Sequence, residues 1–155
     1  MSDQINHECG IALIRLLKPL EFYQKKYGTI NYGLNKMYLM MEKQHNRGQD
    51  GAGFASVKLN AIPGEKYIHR KRSAGKQPIQ EIFQEINKEI HDQSLNKKTD
   101  NAPYLGQLML GHVRYGTFGK NNIESVHPFL RQNNWKHRNL IVAGNFNMTN
   151  NQELF

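Results

Sequence analysis

The chain has 155 residues, a formal net charge of +8 and one cysteine. This length suits one domain that buries roughly 68–70% of the surface of its unfolded chain. One cysteine excludes a disulfide framework and a thiolate zinc cluster within the chain, and no apolar run reaches the ~18 residues of a membrane-spanning helix. Residues 1–8 lack the apolar core of a signal peptide. We therefore expect a cytoplasmic protein with no membrane partner and no metal site in this segment.

The positive charge is spread along the chain. Its densest cluster is the run of four basic residues from His69 to Arg72, and no aromatic signature of an RNA-binding domain accompanies it. Net charge alone is weak evidence for a partner. We interpret the cluster as part of a solvated basic face, with attraction of a phosphorylated substrate of a neighbouring domain as the alternative. We predict no nucleic-acid partner.

The first half of the chain alternates apolar segments with connections marked by glycine and proline. Residues 11–14 are typical of a short buried strand, whereas the polar residues 18–33 predict a loop. Apolar side chains at positions 34, 37, 38 and 41 follow the helical period and predict a helix over residues 34–44. Strands are predicted over residues 54–59 and 66–71, with a turn between them.

In the second half, apolar residues at positions 79, 82, 83, 86 and 90 share one helix face, and Pro78 suits the start of that helix. Residues 92–102 predict an exposed loop, and apolar runs predict buried strands within 105–113 and over 140–143. Strands outnumber helices, which favours an α+β fold or a layered αββα arrangement. A further helix begins near Phe155, so we expect residues 9–155 to be the N-terminal part of a longer domain.

Cys9 stands at the front edge of the first predicted strand, with Gly10 behind it. A lone cysteine is often a small buried hydrophobe. At a strand edge, however, its side chain can face a cleft, and removal of the polar leader 1–8 would give Cys9 a free α-amine. That amine titrates near ~7.7–8.0, which suits a base for the thiol at neutral pH.

Three loops at predicted strand ends carry further polar side chains. Arg47 and Asp50 lie among glycines, Arg114 opens a second loop, and Asn145 follows Gly144. Each also has a structural interpretation. Arg47 and Asp50 suit an ion pair in a tight turn, Arg114 suits a surface cation, and Asn145 suits a helix cap or a left-handed turn.

Taken together with Cys9 and in this order, these segments resemble the class II glutamine amidotransferases, which are N-terminal-nucleophile hydrolases. Within that class the similarity is greatest to the amidophosphoribosyltransferases of purine biosynthesis, and Gln49 favours them. The matching segments, spread from end to end, are Cys9-Gly10-Ile11, Arg47-Gly48-Gln49-Asp50 with Ala52-Gly53, Gly111-His112-Val113-Arg114-Tyr115 with Thr117, and Asn145 with Asn147 and Thr149-Asn150.

The resemblance implies a role for each of these residues. Cys9 attacks the side-chain amide of glutamine, and its own α-amine is the base. Arg114 binds the glutamine α-carboxylate through a bidentate pair, while Tyr115 and Thr117 line the same pocket.

The resemblance also implies an oxyanion hole formed by the Asn145 side chain and the backbone N–H of Phe146, a position where the family usually has glycine. Arg47 and Asp50 support the pocket from behind.

The partners implied by the resemblance are L-glutamine and a C-terminal phosphoribosyltransferase domain of the same full-length chain, in a homo-oligomer. No cofactor is expected in this segment, and magnesium would belong to the phosphoribosyltransferase domain. Ammonia released from glutamine would attack phosphoribosyl pyrophosphate. The alternatives are an amidotransferase domain that serves another acceptor and a catalytically silent paralogue that acts as a regulatory module.

Overall fold

The computed structural model describes residues 8–95, 102–116 and 122–146. These ranges contain α1 (Leu20–Tyr27), α2 (Tyr32–Lys43), α3 (Pro78–Leu95), β1 (Gly10–Arg15), β2 (Gly51–Val57), β3 (Ile68–Ser73), β4 (Leu108–Arg114), β5 (Phe129–Arg131) and β6 (Leu140–Val142), with single 3₁₀ turns at His45–Arg47, Ile123–Ser125 and Lys136–Arg138. The mixture of helices and strands confirms the α+β prediction. The full αββα layering stays a prediction.

Four of the strands form one antiparallel sheet in the order β1-β4-β2-β3, and β5 pairs with β6 in a second sheet. Strand β4 is therefore hydrogen-bonded on both sides, to β1 and to β2. Both neighbours run antiparallel to it, so their first residues lie beside its last ones. This arrangement brings three separate parts of the chain to one end of the sheet.

Helices α2 and α3 cover one face of the four-stranded sheet. Their apolar stripes meet the side chains that alternate toward that face of each strand. Phe54 at the centre of β2 is fully buried and packs beside Phe83 of α3, with ring centroids 5.7 Å apart. The remaining core side chains include Ala12, Leu34, Met37, Met41, Ala52, Ile79, Ile82, Ile86, Met109 and Val113.

The segment Val126–Pro128 crosses the opposite face of the sheet. It passes so close to β2 that a Cβ atom added to Gly53 would overlap the carbonyl of His127, and one added to Gly51 would lie 2.9 Å from a Val126 methyl group. The approach of the His127 backbone therefore requires glycine at position 53, whereas a side chain at position 51 would press against the Val126 side chain. The contact fixes the chain that leads into β5 and β6 against β2.

The basic cluster on β3 makes intramolecular contacts. The Lys71 ammonium bonds Glu85 and Glu89 of α3 at 2.9 and 2.6 Å, and these hydrogen bonds raise its pKa. The Arg72 guanidinium donates to the Val126 carbonyl at 3.0 Å, and the His69 side chain is buried. The prediction of a solvated basic face is therefore wrong for much of this cluster, since its side chains tie β3 to α3 and to the crossing segment.

Helix α1 occupies residues that the sequence pattern predicts to be a loop. None of its residues is buried, so no apolar stripe marks it. Its aromatic side chains stack on one another instead, and Tyr27 lies over Tyr32 with ring centroids 4.2 Å apart. The signals that do mark it are Pro19 before the helix and Gly28 after it, the latter in the left-handed conformation at φ 76°.

The remaining differences concern element boundaries. Helix α3 continues to Leu95, into the stretch predicted as a loop, and the three-residue strand β5 was not predicted. The predicted strands over 54–59 and 66–71 are shifted by two to three residues. Across the described parts of the chain, no helix combines the length and apolarity needed to cross a membrane.

Candidate active site

The open end of β4 brings together residues from three segments. Gly10 of β1 pairs with Val113, and Gly51 of β2 pairs with Arg114. Cys9 immediately precedes β1, and Asp50 immediately precedes β2. Strand pairing therefore places the cysteine and the aspartate beside the residues that follow β4, although Cys9 is 106 positions from Tyr115 and Asp50 is 66 positions from Gly116.

The Cys9 side chain is half-buried and faces the backbone of Tyr115. The Tyr115 N–H donates to the Cys9 Sγ at 3.4 Å, and the Sγ lies 3.9 Å from the Tyr115 carbonyl oxygen. Within the described residues Cys9 has no other hydrogen-bond partner. The sulfur is thus held at the surface of the sheet end and is not a fully buried hydrophobe.

Asp50 fastens the turn before β2 to the turn after β4. Its N–H donates to the carbonyl of Arg114 at 3.0 Å, and its Oδ2 accepts from the N–H of Gly116 at 2.7 Å. Gly48 lies against the same backbone, where a Cβ atom would overlap the Arg114 carbonyl. One backbone hydrogen bond, the Asp50 carboxylate and the close approach of Gly48 therefore tie the two turns together.

The Arg114 side chain is 5% exposed, so its interpretation as a surface cation is wrong. Its Nη1 lies 3.1 Å from the position of a Cβ atom on Gly116, and Asp50 Oδ2 lies 3.2 Å from the same point. A guanidinium and a carboxylate therefore flank the turn that follows β4. A buried guanidinium has the fork geometry that suits binding of a carboxylate.

Arg47 does not pair with Asp50. Its Nη2 lies 3.2 Å from Glu8 Oε2, and both side chains are about half exposed, at 51% and 49%. An exposed ion pair of this kind stabilises a fold by at most ~1 kcal/mol. The contact nevertheless joins Glu8, the residue before Cys9, to Arg47. The resemblance places Arg47 in the same site as Cys9.

Asn145 and Phe146 are exposed on the turn that follows β6. The Phe146 ring folds back over Gly144, and its centroid lies 5.2 Å from that of His127. In the described ranges the non-glycine residue with positive φ is Tyr104, so the Phe146 backbone lies outside the left-handed region. Thr117, Asn147 and the leader residues 1–7 lie outside the described residues.

Two buried histidines lie behind this turn, and sequence reasoning gave them no function. The rings of His112 and His127 are 1% and 7% exposed, and their centroids are 4.7 Å apart. Burial, followed by the neighbouring charges of His127 and Arg114, lowers the pKa of His112 from 6.5 to about 4. Neither His112 nitrogen makes a well-formed hydrogen bond in the described ranges, although the Gly144 backbone lies close enough to favour the protonated form slightly.

The described residues at this sheet end include no group of metal ligands. In the described part of the chain, no three His, Cys, Asp or Glu side chains are grouped as metal ligands. The groups that do converge are a thiol, a carboxylate, a buried guanidinium and backbone N–H donors. This set is suited to nucleophilic attack on an uncharged carbonyl group in a substrate that carries its own carboxylate.

Known proteins provide an independent comparison. The chain is 34% identical over 152 residues to an amidophosphoribosyltransferase of Bacillus subtilis, and the match covers 97% of this chain and 24% of that protein. It is 29% identical over 152 residues to amidophosphoribosyltransferase 3, chloroplastic, of Arabidopsis thaliana, covering 98% of this chain and 22% of the relative. The chain is related to the amidophosphoribosyltransferases.

An amidophosphoribosyltransferase of Lacticaseibacillus casei is also similar, at 25% identity over 147 residues, and there the match covers 57% of the relative. No family model and no solved structure matches this chain significantly. The chain spans about a quarter of the length of the first two relatives described. The resemblance stated from the motifs is thus confirmed for a part of these proteins.

The buried histidine pair predicts an acid-sensitive fold. Unfolded histidine binds a proton near pH 6.5, whereas folded His112 resists protonation until about pH 4, so the unfolded state binds more protons between these values. The free energy of unfolding therefore falls as the pH drops from 6.5 to 4, with a contribution from His112 on the order of 3 kcal/mol.

The His112→Phe variant of the full-length protein keeps a buried ring and removes the titration. We expect its calorimetric melting temperature to fall less than that of the wild type between pH 6.5 and 4.5. His137→Phe, at an exposed position, is the control and should follow the wild type. Parallel curves for wild type and His112→Phe would show that His112 does not titrate in this way.

Proposed function

We propose that this chain is the glutaminase part of an amidophosphoribosyltransferase-like enzyme. The observation that carries the proposal is the junction at the end of β4, where the Cys9 Sγ faces the Tyr115 backbone 3.4 Å away. Asp50 locks the same turn through its 2.7 Å bond to Gly116. The thiol thus lies beside the backbone that directly follows the buried Arg114, and hydrolysis of the amide of an amino-acid substrate needs a nucleophile and a carboxylate-binding group held near each other.

The proposed reaction proceeds in two steps. Arg114 binds the α-carboxylate of glutamine and orients the side-chain amide toward Cys9. The thiolate attacks the amide carbon, and the negative charge on the oxygen is received by the Asn145 side chain and the Phe146 N–H. The amide nitrogen leaves as ammonia with a proton from the catalytic base, and water then hydrolyses the thioester to glutamate and the free thiol.

The base in this scheme is the α-amine of Cys9, which exists only after the bond between Glu8 and Cys9 is cut. Glu8 is exposed and its carboxylate lies on Arg47, so the bond is next to an ion pair at the surface. Removal of residues 1–8 would release Arg47 and leave Cys9 as the first residue. Arg47 would then remain as a cation beside the new amino terminus.

Cleavage between Glu8 and Cys9 can be detected directly from the mass of the protein. We expect wild-type full-length protein to lack residues 1–8 and the Cys9→Ala variant to retain at least residues 2–8, because the thiol itself performs the cleavage. The measurement is intact mass together with sequencing of the amino terminus. A wild-type protein that keeps its leader and still hydrolyses glutamine would exclude the α-amine as the base.

The acceptor in this proposal is inferred from the names of the relatives. Their names describe transfer to a phosphoribosyl group, and they are longer than this chain. Ammonia formed at Cys9 would attack phosphoribosyl pyrophosphate in the rest of the protein and displace pyrophosphate. Nucleophilic chemistry at Cys9 is needed only to release the ammonia, so the two half-reactions can be assayed apart.

Cys9→Ser tests the division between the two half-reactions. We expect the full-length variant to lose glutamine-dependent pyrophosphate release and to keep most of its ammonium-dependent release, because only the first reaction uses the thiol. Ammonium as the nitrogen donor is the internal control for folding. Equal loss with both donors would assign Cys9 a structural role.

The Arg114→Lys variant tests whether Arg114 binds the α-carboxylate of glutamine. Lysine retains the charge but loses the fork geometry, and charge-assisted hydrogen bonds contribute about 1.5–3 kcal/mol. We therefore expect the KM for glutamine to rise roughly 10- to 100-fold with a smaller fall in kcat. Arg131→Lys, at an exposed position, is the matched control. An unchanged KM in Arg114→Lys would remove this residue from the glutamine site.

A further inference from the structure

His127 holds the turn that follows β6 through a single ring nitrogen. Its Nδ1 lies 3.1 Å from the carbonyl oxygen of Gly144 and 3.3 Å from the amide nitrogen of the same residue. When Nδ1 carries a proton it donates to the Gly144 carbonyl, and when Nδ1 is bare it accepts from the Gly144 N–H. Either neutral tautomer therefore makes a hydrogen bond to the residue that precedes Asn145.

The His127 ring is itself held from several sides. Its centroid lies 4.7 Å from that of His112 on β4 and 4.3 Å from that of Phe129, the latter edge to face. Its own backbone carbonyl rests on Gly53 of β2, where no side chain would fit. The ring is therefore packed between His112 of β4 and Phe129 of β5. Because Nδ1 of this ring is bonded to Gly144, the packing also holds the Gly144 turn in place relative to the sheet.

Burial and the neighbouring charges favour the neutral form of His127. Burial is the main cause that lowers its pKa, and Arg114 of β4 and Arg72 of β3 add to the effect, whereas the Gly144 backbone opposes it. His112 packs against the ring, and Glu124 is paired with Arg72 at 3.4 Å rather than with a histidine. An uncharged ring beside Gly144 can act as donor or as acceptor, as the observed geometry requires.

We propose that His127 is a positioning residue for the oxyanion hole. By fixing Gly144, its Nδ1 sets the direction of the Asn145 side chain and of the Phe146 N–H. This inference rests on the proposed glutaminase function, in which those two groups receive the negative charge. His127 touches no reacting atom and acts only through the turn.

A matched set of variants separates positioning from simple packing. The Nδ1 of histidine coincides with the side-chain amide atoms of asparagine, whereas the glutamine amide reaches the position of Nε2. In full-length protein, His127→Leu fills the space without a polar atom, His127→Asn restores a polar atom at the Nδ1 position but leaves a cavity, and His127→Gln misplaces it. His137→Asn, at an exposed position, is the control.

We expect His127→Leu and His127→Gln to lose about a hundredfold in glutaminase kcat, as misplacement of a reacting group by ~1 Å does. His127→Asn should recover most of that loss even though its melting temperature is lower. The KM for glutamine and the ammonium-dependent rate should change little in all of them. Activity that follows melting temperature, with His127→Leu more active than His127→Asn, would overturn the proposal.

Hydrogen–deuterium exchange of the full-length protein tests the clamp without any activity. Peptides that cover residues 143–146 should exchange faster in His127→Leu than in wild type or His137→Asn, and His127→Asn should restore protection. Unchanged exchange in His127→Leu would overturn the clamp itself. If wild type shows no glutaminase activity, the proposed function fails, and this exchange result still decides whether His127 holds Gly144.

Discussion

The candidate site depends on the central position of β4. Because β1 and β2 both pair antiparallel with β4, the residue before each of them must lie beside the residues after β4. Strand pairing alone therefore brings together Cys9, Asp50 and Tyr115, and no long loop is needed to place any of these residues in the site. Sites built on strand ends of this kind are held by the ladder of the sheet, which is stiffer than a surface loop.

A second constraint acts on the other face of the sheet, where the backbone comes unusually close. Gly53 admits the carbonyl of His127, and His112 of β4 places its ring against the ring of the same residue. His127 is in turn hydrogen-bonded to Gly144. These contacts connect the turn that bears Asn145 to β4, the strand that ends in Arg114. Apolar packing on the helix face stabilises the sheet, while these small and polar residues connect the two turns of the candidate site.

The sequence predicts the parts of this structure that are local. The helical period at positions 34, 37 and 41 locates α2, and glycine-rich turns with isolated polar residues mark Asp50 and Arg114. It does not predict α1, whose aromatic side chains stack on one another and on Tyr32 of α2 rather than on a core. Nor does it predict the His127–Gly144 contact, because a ring nitrogen bonded to the backbone 17 residues away leaves no periodic pattern.

In the proposed function, Cys9 becomes the first residue of a processed chain, and its thiol, beside the end of β4, attacks glutamine. The most direct test treats full-length protein with a diazoketone analogue of L-glutamine and identifies the alkylated peptide by mass spectrometry. We predict one labelled peptide that begins at Cys9, with labelling suppressed by L-glutamine. Labelling at another residue, on a peptide that still carries the leader, or without protection by glutamine would contradict it.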